Sequence, residues 1–533
     1  MKRLLVLGVV FAQLAASAQT WKADNGNGTF RNPILHADYS DPDAIRVGSD
    51  YYMVASSFTH IPGLPILHSK DLVNWSLLGH ALNIQPPYDY YIKVQHGAGV
   101  WAPSIRYHNN EFYIYYPDPD FGIYLTKAKN INGPWSAPLL VEAGKGLIDP
   151  CPLWDDNGKV YLVHAYAGSR AGFKSILVVK EMNKEGTQTI TDGVLVFDGH
   201  AEDPTVEGPK FYKRNGFYYI FAPAGGVSTG WQLVLRSKNI YGPYEKKVVM
   251  DQGQSPINGP HQGAWVNTTS GEDWFLHFQD KDAYGRIVHL QPMKWVNDWP
   301  VIGEDKDGDG KGEPVMIYNK PTVGRSYPAV TVPESDDFNT PRLGRQWQWQ
   351  ANPREGWAFP SPDGFLQLFS VLLPDSVKNA WDYPHILAQK FPAESFTATV
   401  KFSFLPRWEG EKFGLIIQGA DYGYIAIEKR KDGNYISQAI CTGADKGNKE
   451  TVQDGQKAVK TDIYFRVIVS PGARCSFSYS EDGNQFTPLG SSLVAKPGRW
   501  VGAKTGFFFS RTNKTNDAGQ VRLDWFTISQ NEK

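Results

Sequence analysis

Arg214-Asn215-Gly216-Phe217-Tyr218-Tyr219-Ile220 places a tight-turn pair, Asn-Gly, directly ahead of an aromatic strand, and the same arrangement occurs five times along the chain. The other four are Val47-Gly48-Ser49-Asp50-Tyr51-Tyr52-Met53, His108-Asn109-Asn110-Glu111-Phe112-Tyr113-Ile114, Asp156-Asn157-Gly158-Lys159-Val160-Tyr161-Leu162 and Ser270-Gly271-Glu272-Asp273-Trp274-Phe275-Leu276. Each reads as a β-hairpin, because Asn, Asp and Gly tolerate the turn's left-handed dihedrals and aromatic or β-branched residues fill the strand that follows. Two units close alike, with Asn130-Ile131-Asn132-Gly133-Pro134-Trp135 and Asn239-Ile240-Tyr241-Gly242-Pro243-Tyr244. A multi-strand repeat of about 50 residues predicts a five-bladed β-propeller over residues 29–320.

In a propeller the first strand of each blade lines the axis, so residues that open successive units converge. Three units open on an acid: Asp41 in Ser40-Asp41-Pro42-Asp43, Asp149 in Ile148-Asp149-Pro150, and Glu207 in Val206-Glu207-Gly208-Pro209. The other two open at Trp101 and His261. Any one acid could simply start a turn, but three at equivalent starts predict one shared pocket. Asp43 is expected to point away from that pocket and to be structural.

Beyond a linker at 321–335, residues 336–530 alternate apolar and polar, as in Phe396-Thr397-Ala398-Thr399-Val400-Lys401-Phe402, with turns such as Lys431-Asp432-Gly433-Asn434. This predicts a β-sandwich of jelly-roll type and makes the chain all-β. The 52 glycines and 36 prolines leave little room for long helices. A net charge of -1 excludes a nucleic-acid partner, whose backbone needs a basic surface. No protein partner is indicated.

The N-terminus carries Lys2-Arg3, an apolar run from Leu4 to Ala12 and Ala16-Ser17-Ala18. It reads as a secretion signal over 1–18, too short to span a bilayer, so an exported protein is expected, periplasmic in a two-membrane bacterium. Of three cysteines, Cys441 and Cys475 are the plausible disulfide pair, with buried free thiols as the alternative.

Two carboxyl groups flanking an acetal can hydrolyse it, one protonating the leaving oxygen and the other activating water or attacking. A buried glutamate among carboxylates stays protonated most readily, so Glu207 is the candidate acid and the shorter Asp41 the candidate base. Trp101 and Phe58 are candidate platforms for a sugar ring.

Together with Asn32-Pro33-Ile34-Leu35, Trp101-Ala102-Pro103-Ser104 and His261-Gln262-Gly263, these acidic motifs closely resemble glycoside hydrolase family 43. The second domain resembles the concanavalin-type sandwich that follows the propeller in that family's β-xylosidases and α-L-arabinofuranosidases. The resemblance implies an inverting mechanism with Asp41 as base, Asp149 as orienting and pKa-modulating acid, and Glu207 as general acid. It also implies a sugar-contacting arginine at Arg286, a histidine near the centre at His261, and a second domain that shapes one wall of the pocket.

The expected activity is exo-acting release of terminal α-L-arabinofuranose from plant polysaccharides or their oligosaccharides. β-D-Xylosidase activity is the alternative, and a non-catalytic carbohydrate-binding protein the second alternative. No cofactor is required by this chemistry. Asp305-Lys306-Asp307-Gly308-Asp309-Gly310 resembles half of a calcium loop but lacks the closing acid, with Met316 in its place, so a solvated turn is favoured over a structural Ca2+. Trp347, Trp349, Trp357 and Trp381 could form a carbohydrate-binding face, although core packing is favoured.

Overall fold

In a computed structural model, which describes residues 19–531, five four-stranded antiparallel sheets follow one another from Asp43 to Ile302. Each pairs its strands in chain order. Blade I begins with Asp43–Val47, blade II with Ser104–His108, blade III with Leu147–Trp154, blade IV with Lys210–Arg214 and blade V with His261–Asn267. The hairpins are set by left-handed pairs such as Asn109 and Asn110 (φ 48° and 61°) and Asn215 and Gly216 (φ 48° and 74°). This is the backbone that a two-residue type I′ turn requires.

The aromatic strands fill the space between blades. Phe221 of blade IV stacks on Phe275 of blade V with ring centroids 6.0 Å apart, and Trp265 and Trp295 close around them. Each such buried ring contributes on the order of 1.5–3 kcal/mol over leaving it exposed.

The ring is closed from both ends of the domain. Thr29–Arg31 pairs with Ile317–Asn319, and the Asn32 side chain donates to the carbonyls of Leu290 and Val315 while accepting from Leu290 N–H, each at 2.8 Å. An amide satisfied on three sides fastens the N-terminal segment to blade V.

The C-terminal domain is a sandwich of two eight-stranded sheets. Phe402, Phe413, Phe465, Phe507 and Phe526 interlock between them, and Trp347 lies fully inside this core. Trp357 and Trp381 are also buried, and Trp349 is half-buried, so these tryptophans pack the interior instead of forming a sugar-binding face. Cys441 and Cys475 lie in different sheets, buried and unbridged, so of the two readings the structure shows the buried free thiols and not the disulfide. The secretion-signal segment lies outside the described residues.

The two domains share a continuous contact. Ile61 and Trp349 exchange backbone hydrogen bonds at 2.9 and 2.6 Å, and Tyr284 and Ile287 of blade V join the sandwich's own core. Asp38 bridges the seam, accepting from Arg286 N–H on one oxygen and Gly502 N–H on the other, both at 2.9 Å. A side chain at Gly502 would strike the Tyr284 backbone at 2.8 Å, so glycine is what permits this approach.

Candidate active site

Asp41, Asp149 and Glu207 line one cavity of ≈ 480 Å³ at the mouth of the propeller axis. Regular strands would not aim them there. Asp41 and Asp149 both adopt left-handed backbone (φ 55° and 57°), and the pairing of blade III slips between Ile148 and Cys151. The bulge frees Asp149 from pleat alternation and turns its carboxylate inward, a strained arrangement of the kind that collects at functional sites. Asp43, two residues past Asp41, points elsewhere, accepting from Ile105 N–H at 2.8 Å and Arg106 Nη1 at 2.7 Å.

The three acids differ in surroundings. Asp41 accepts from the hydroxyls of Ser40 (2.7 Å) and Ser56 (2.5 Å) on one oxygen and from Arg286 Nη1 (3.0 Å) on the other. Asp149 accepts from Gly208 N–H at 2.7 Å. Burial raises its pKa; the Gly208 hydrogen bond and the charge of Lys210 oppose that rise, and the charge of Asp41 adds to it. Glu207 is raised as well, first by desolvation in the pocket and next by Asp149. Its side chain is still 28% exposed, against 7% for Asp41, so it is the acid most open to an incoming group.

Arg286 opens the third strand of blade V, and its position is fixed by Asp38 and Ser40. The pocket wall comprises Phe58, Trp101 and Trp500, with the Trp101 ring 6.4 Å from each of the other two. Phe58 is held left-handed (φ 52°) by paired hydrogen bonds to Val100 and shows the pocket little of its surface.

His261 lies near the centre, as expected, but does not face the cavity where it would bind substrate. It is buried behind Glu207, with Nε2 3.4 Å from the carboxylate, and burial lowers its pKa to about 3, so it is a neutral ring outside the cavity lining. Gln262 takes its place in the lining, through a bulge at φ 40°. The sequence reading missed Gln262, although a polar pair ahead of Gly263 at a unit start is the trace of such a bulge. It also missed Trp500, which the sandwich delivers from a loop between Leu493–Val494 and Lys504–Arg511 at φ 64°.

Asp305, Asp307 and Asp309 place carboxylate oxygens within 4.8 Å of one another on the surface. Asp305 already caps the turn by accepting from Gly308 and Gly310 N–H, while Lys306 pairs with Glu313. No helix among the described residues is long and apolar enough to cross a membrane.

Residues 30–300 match the glycosyl hydrolases family 43, and residues 335–529 match the beta xylosidase C-terminal concanavalin A-like domain. The chain belongs to glycosyl hydrolases family 43. Within that family it is 38% identical over 513 residues to a putative beta-xylosidase of Xylanibacter ruminicola, covering 95% of this chain and 91% of the relative. It is 31% identical over 441 residues to a non-reducing end alpha-L-arabinofuranosidase of Bacteroides ovatus, covering 78% and 79%. Among solved structures, the GH43 protein BlXynB of Bacillus licheniformis superposes with a TM-score of 0.80 at 25% identity, covering 94% of this chain and 100% of that one. Family 43 membership makes the chain a glycosidase with the propeller as its catalytic domain.

Proposed function

We propose that this glycosidase is exo-acting, removes one terminal pentose with inversion at the anomeric carbon, and takes β-D-xylosides as its leading substrates. The observation that carries this reading is a pocket holding one raised carboxylic acid, Glu207, and an arginine-bound aspartate, Asp41, walled by Trp500 from the second domain. A pocket closed on that side suits a single chain-end sugar.

In this mechanism Glu207 gives its proton to the glycosidic oxygen as the bond to the anomeric carbon breaks. Asp41 takes a proton from water as the water oxygen attacks the opposite face. Asp149 orients the sugar and holds Glu207 protonated through its charge, and Arg286 binds sugar hydroxyls while fixing Asp41. Trp101, Phe58 and Trp500 enclose the ring, and His261 supports Glu207 as a neutral neighbour. None of these steps calls on a metal; calcium at Asp305, Asp307 and Asp309 would be structural. Export is proposed from the N-terminal run alone.

The order of the two pentoses reverses that of the sequence reading because the relative at 38% identity is named a beta-xylosidase. α-L-Arabinofuranosides form the second reading, favoured by the relative at 31%. Rates on nitrophenyl β-D-xylopyranoside and α-L-arabinofuranoside, with product anomers followed by NMR on xylotriose, test the proposal. Faster xyloside turnover with single xylose units released first as the α-anomer supports it. Internal cleavage, or β-xylose as the first product, overturns the exo or the inverting part.

A further inference from the structure

Beneath the three acids the propeller axis holds a second polar layer, built from the same chain segments a few residues on. Asp43 follows Asp41 by two residues, Cys151 follows Asp149 by two, and Lys210 follows Glu207 by three. Arg106 of blade II joins them, donating through Nη1 to Asp43 at 2.7 Å, with Nη2 2.7 Å from Cys151 Sγ. Phe211 N–H also points at that sulfur, at 3.1 Å, and Ser104 Oγ donates to Pro150 O at 2.5 Å. Blades I to IV are thus tied directly below the pocket.

Lys210 is the unbalanced member of this layer. Arg106 has Asp43, and in the pocket Arg286 has Asp41. Lys210 is 0% exposed, and its Nζ hydrogen bond goes to the carbonyl of Pro103 at 3.3 Å, with no ion pair among the described residues. A buried ammonium without a carboxylate partner is costly to keep unless its charge serves something nearby. Its anchor leads to Asp149: Ser104, next to Pro103, donates to the carbonyl of Pro150, the residue after Asp149, and the lysine's charge acts on that carboxylate. The turn Glu207-Gly208-Pro209-Lys210 donates Gly208 N–H to the Asp149 carboxylate and then buries the lysine underneath.

We propose that Lys210 is a positioning residue that holds Asp149 as an inward-facing carboxylate from below, the axial counterpart of Arg286 at Asp41. Burial and the charge of Asp41 push Asp149 toward its neutral form. Gly208 N–H, Gln262 and Lys210 pull it back. Arg286, from blade V, already serves Asp41, while Arg106 is taken by Asp43 and Cys151. His261 is neutral and contributes no charge. Lys174, on the cavity wall, donates to Thr205 and acts on Glu207, so Lys210 is the cation that serves Asp149. Its removal would leave a pocket with the same residues at the surface but with Asp149 protonated at pH values where it must be charged. The inference rests on the orienting role proposed for Asp149.

The test is the pH dependence of kcat/KM on a nitrophenyl pentoside for wild type, Lys210→Met and Lys210→Arg. For Lys210→Met the acidic limb should move up by about one pH unit or more, with the alkaline limb in place. Lys210→Arg, which keeps the charge, should restore the limb. Should Lys210→Met fail to fold, Lys210→Gln retains a donor for Pro103 and carries the same expectation. A folded neutral variant whose acidic limb coincides with wild type overturns the inference. Asp149→Asn separates the two levels: if that variant keeps full activity, the role of Asp149 itself is wrong. If it loses activity, adding Lys210→Met should cost nothing further, and an additional loss counts against the inference.

Discussion

The propeller and the sandwich are made of the same material, antiparallel strands rich in Phe, Tyr and Trp, but they bury different things at their centres. The sandwich stacks two sheets, and its inward faces meet as an apolar layer around Phe402, Phe413 and Phe507. The propeller closes its blades into a ring, so the first strands converge on an axis, where Asp41, Asp43, Asp149, Arg106 and Lys210 gather. Left-handed backbone gathers around the pocket as well. Asp41, Phe58, Asp149 and Gln262, all lining the pocket, are left-handed, and the sandwich residue that reaches the pocket, Trp500, is left-handed too. A closed ring thus offers a place where charge can be concentrated and held off regular geometry, while a stacked pair of sheets supplies the walls and the anchorage.

That contrast can be broken most sharply at Asp41. Asp41→Asn should lower kcat by about 10³–10⁵-fold with little change in the melting curve, because it removes the proposed base from a site the core does not depend on. A variant that kept its rate would take the chemistry away from the ring. Second in size is Glu207→Gln, expected to cost about 10²–10⁴-fold on substrates with poor leaving groups and less on nitrophenyl glycosides, which need less acid assistance. The wild-type pH profile sharpens the same point. Activity requires Glu207 protonated, so it should fall as pH rises through a pKa held above the ordinary glutamate range, and Glu207→Gln should abolish that alkaline limb on nitrophenyl substrates.

Trp500→Ala tests whether the sandwich contributes to the site at all. About a 10–100-fold loss in kcat/KM with an unchanged melting temperature would support its place as a pocket wall, whereas unchanged kinetics would confine the sandwich to anchorage. The smallest effect concerns the seam. Lys504 is buried there, and desolvation lowers its pKa to about 7. Between that value and the ordinary lysine range the unfolded chain binds the extra proton, so this group makes stability rise with pH across that window. Lys504→Met should remove the slope and raise Tm at neutral pH by about 3 °C, for roughly 1 kcal/mol. A drop in Tm would show the charge is wanted.

The blades were legible because a turn pair and an aromatic strand recur, and recurrence survives without knowing any contact. Asp41, Asp149 and Glu207 were legible for the same reason, each opening a unit. Gln262 was not, since alternation assigns the axis to His261 and only a bulge lets its neighbour reach the cavity. Trp500 was hidden more thoroughly, as it belongs to another domain and its approach depends on Asp38 gripping Gly502, a contact between residues 464 positions apart. The sandwich tryptophans show the opposite difficulty: a list of aromatic residues does not say which face of a sheet each one occupies.

The grip of Asp38 on Gly502 also sets a schedule. Asp38 leaves the ribosome 464 residues ahead of Gly502, so a nascent chain carries all three acids long before the wall that Trp500 provides can be put in place. The ring itself can be fastened only after Ile317–Asn319 has emerged to meet Thr29–Arg31. Assembly of the finished pocket therefore waits for residue 502, and a product cut short anywhere before residue 500 is released with its sugar site open on one side.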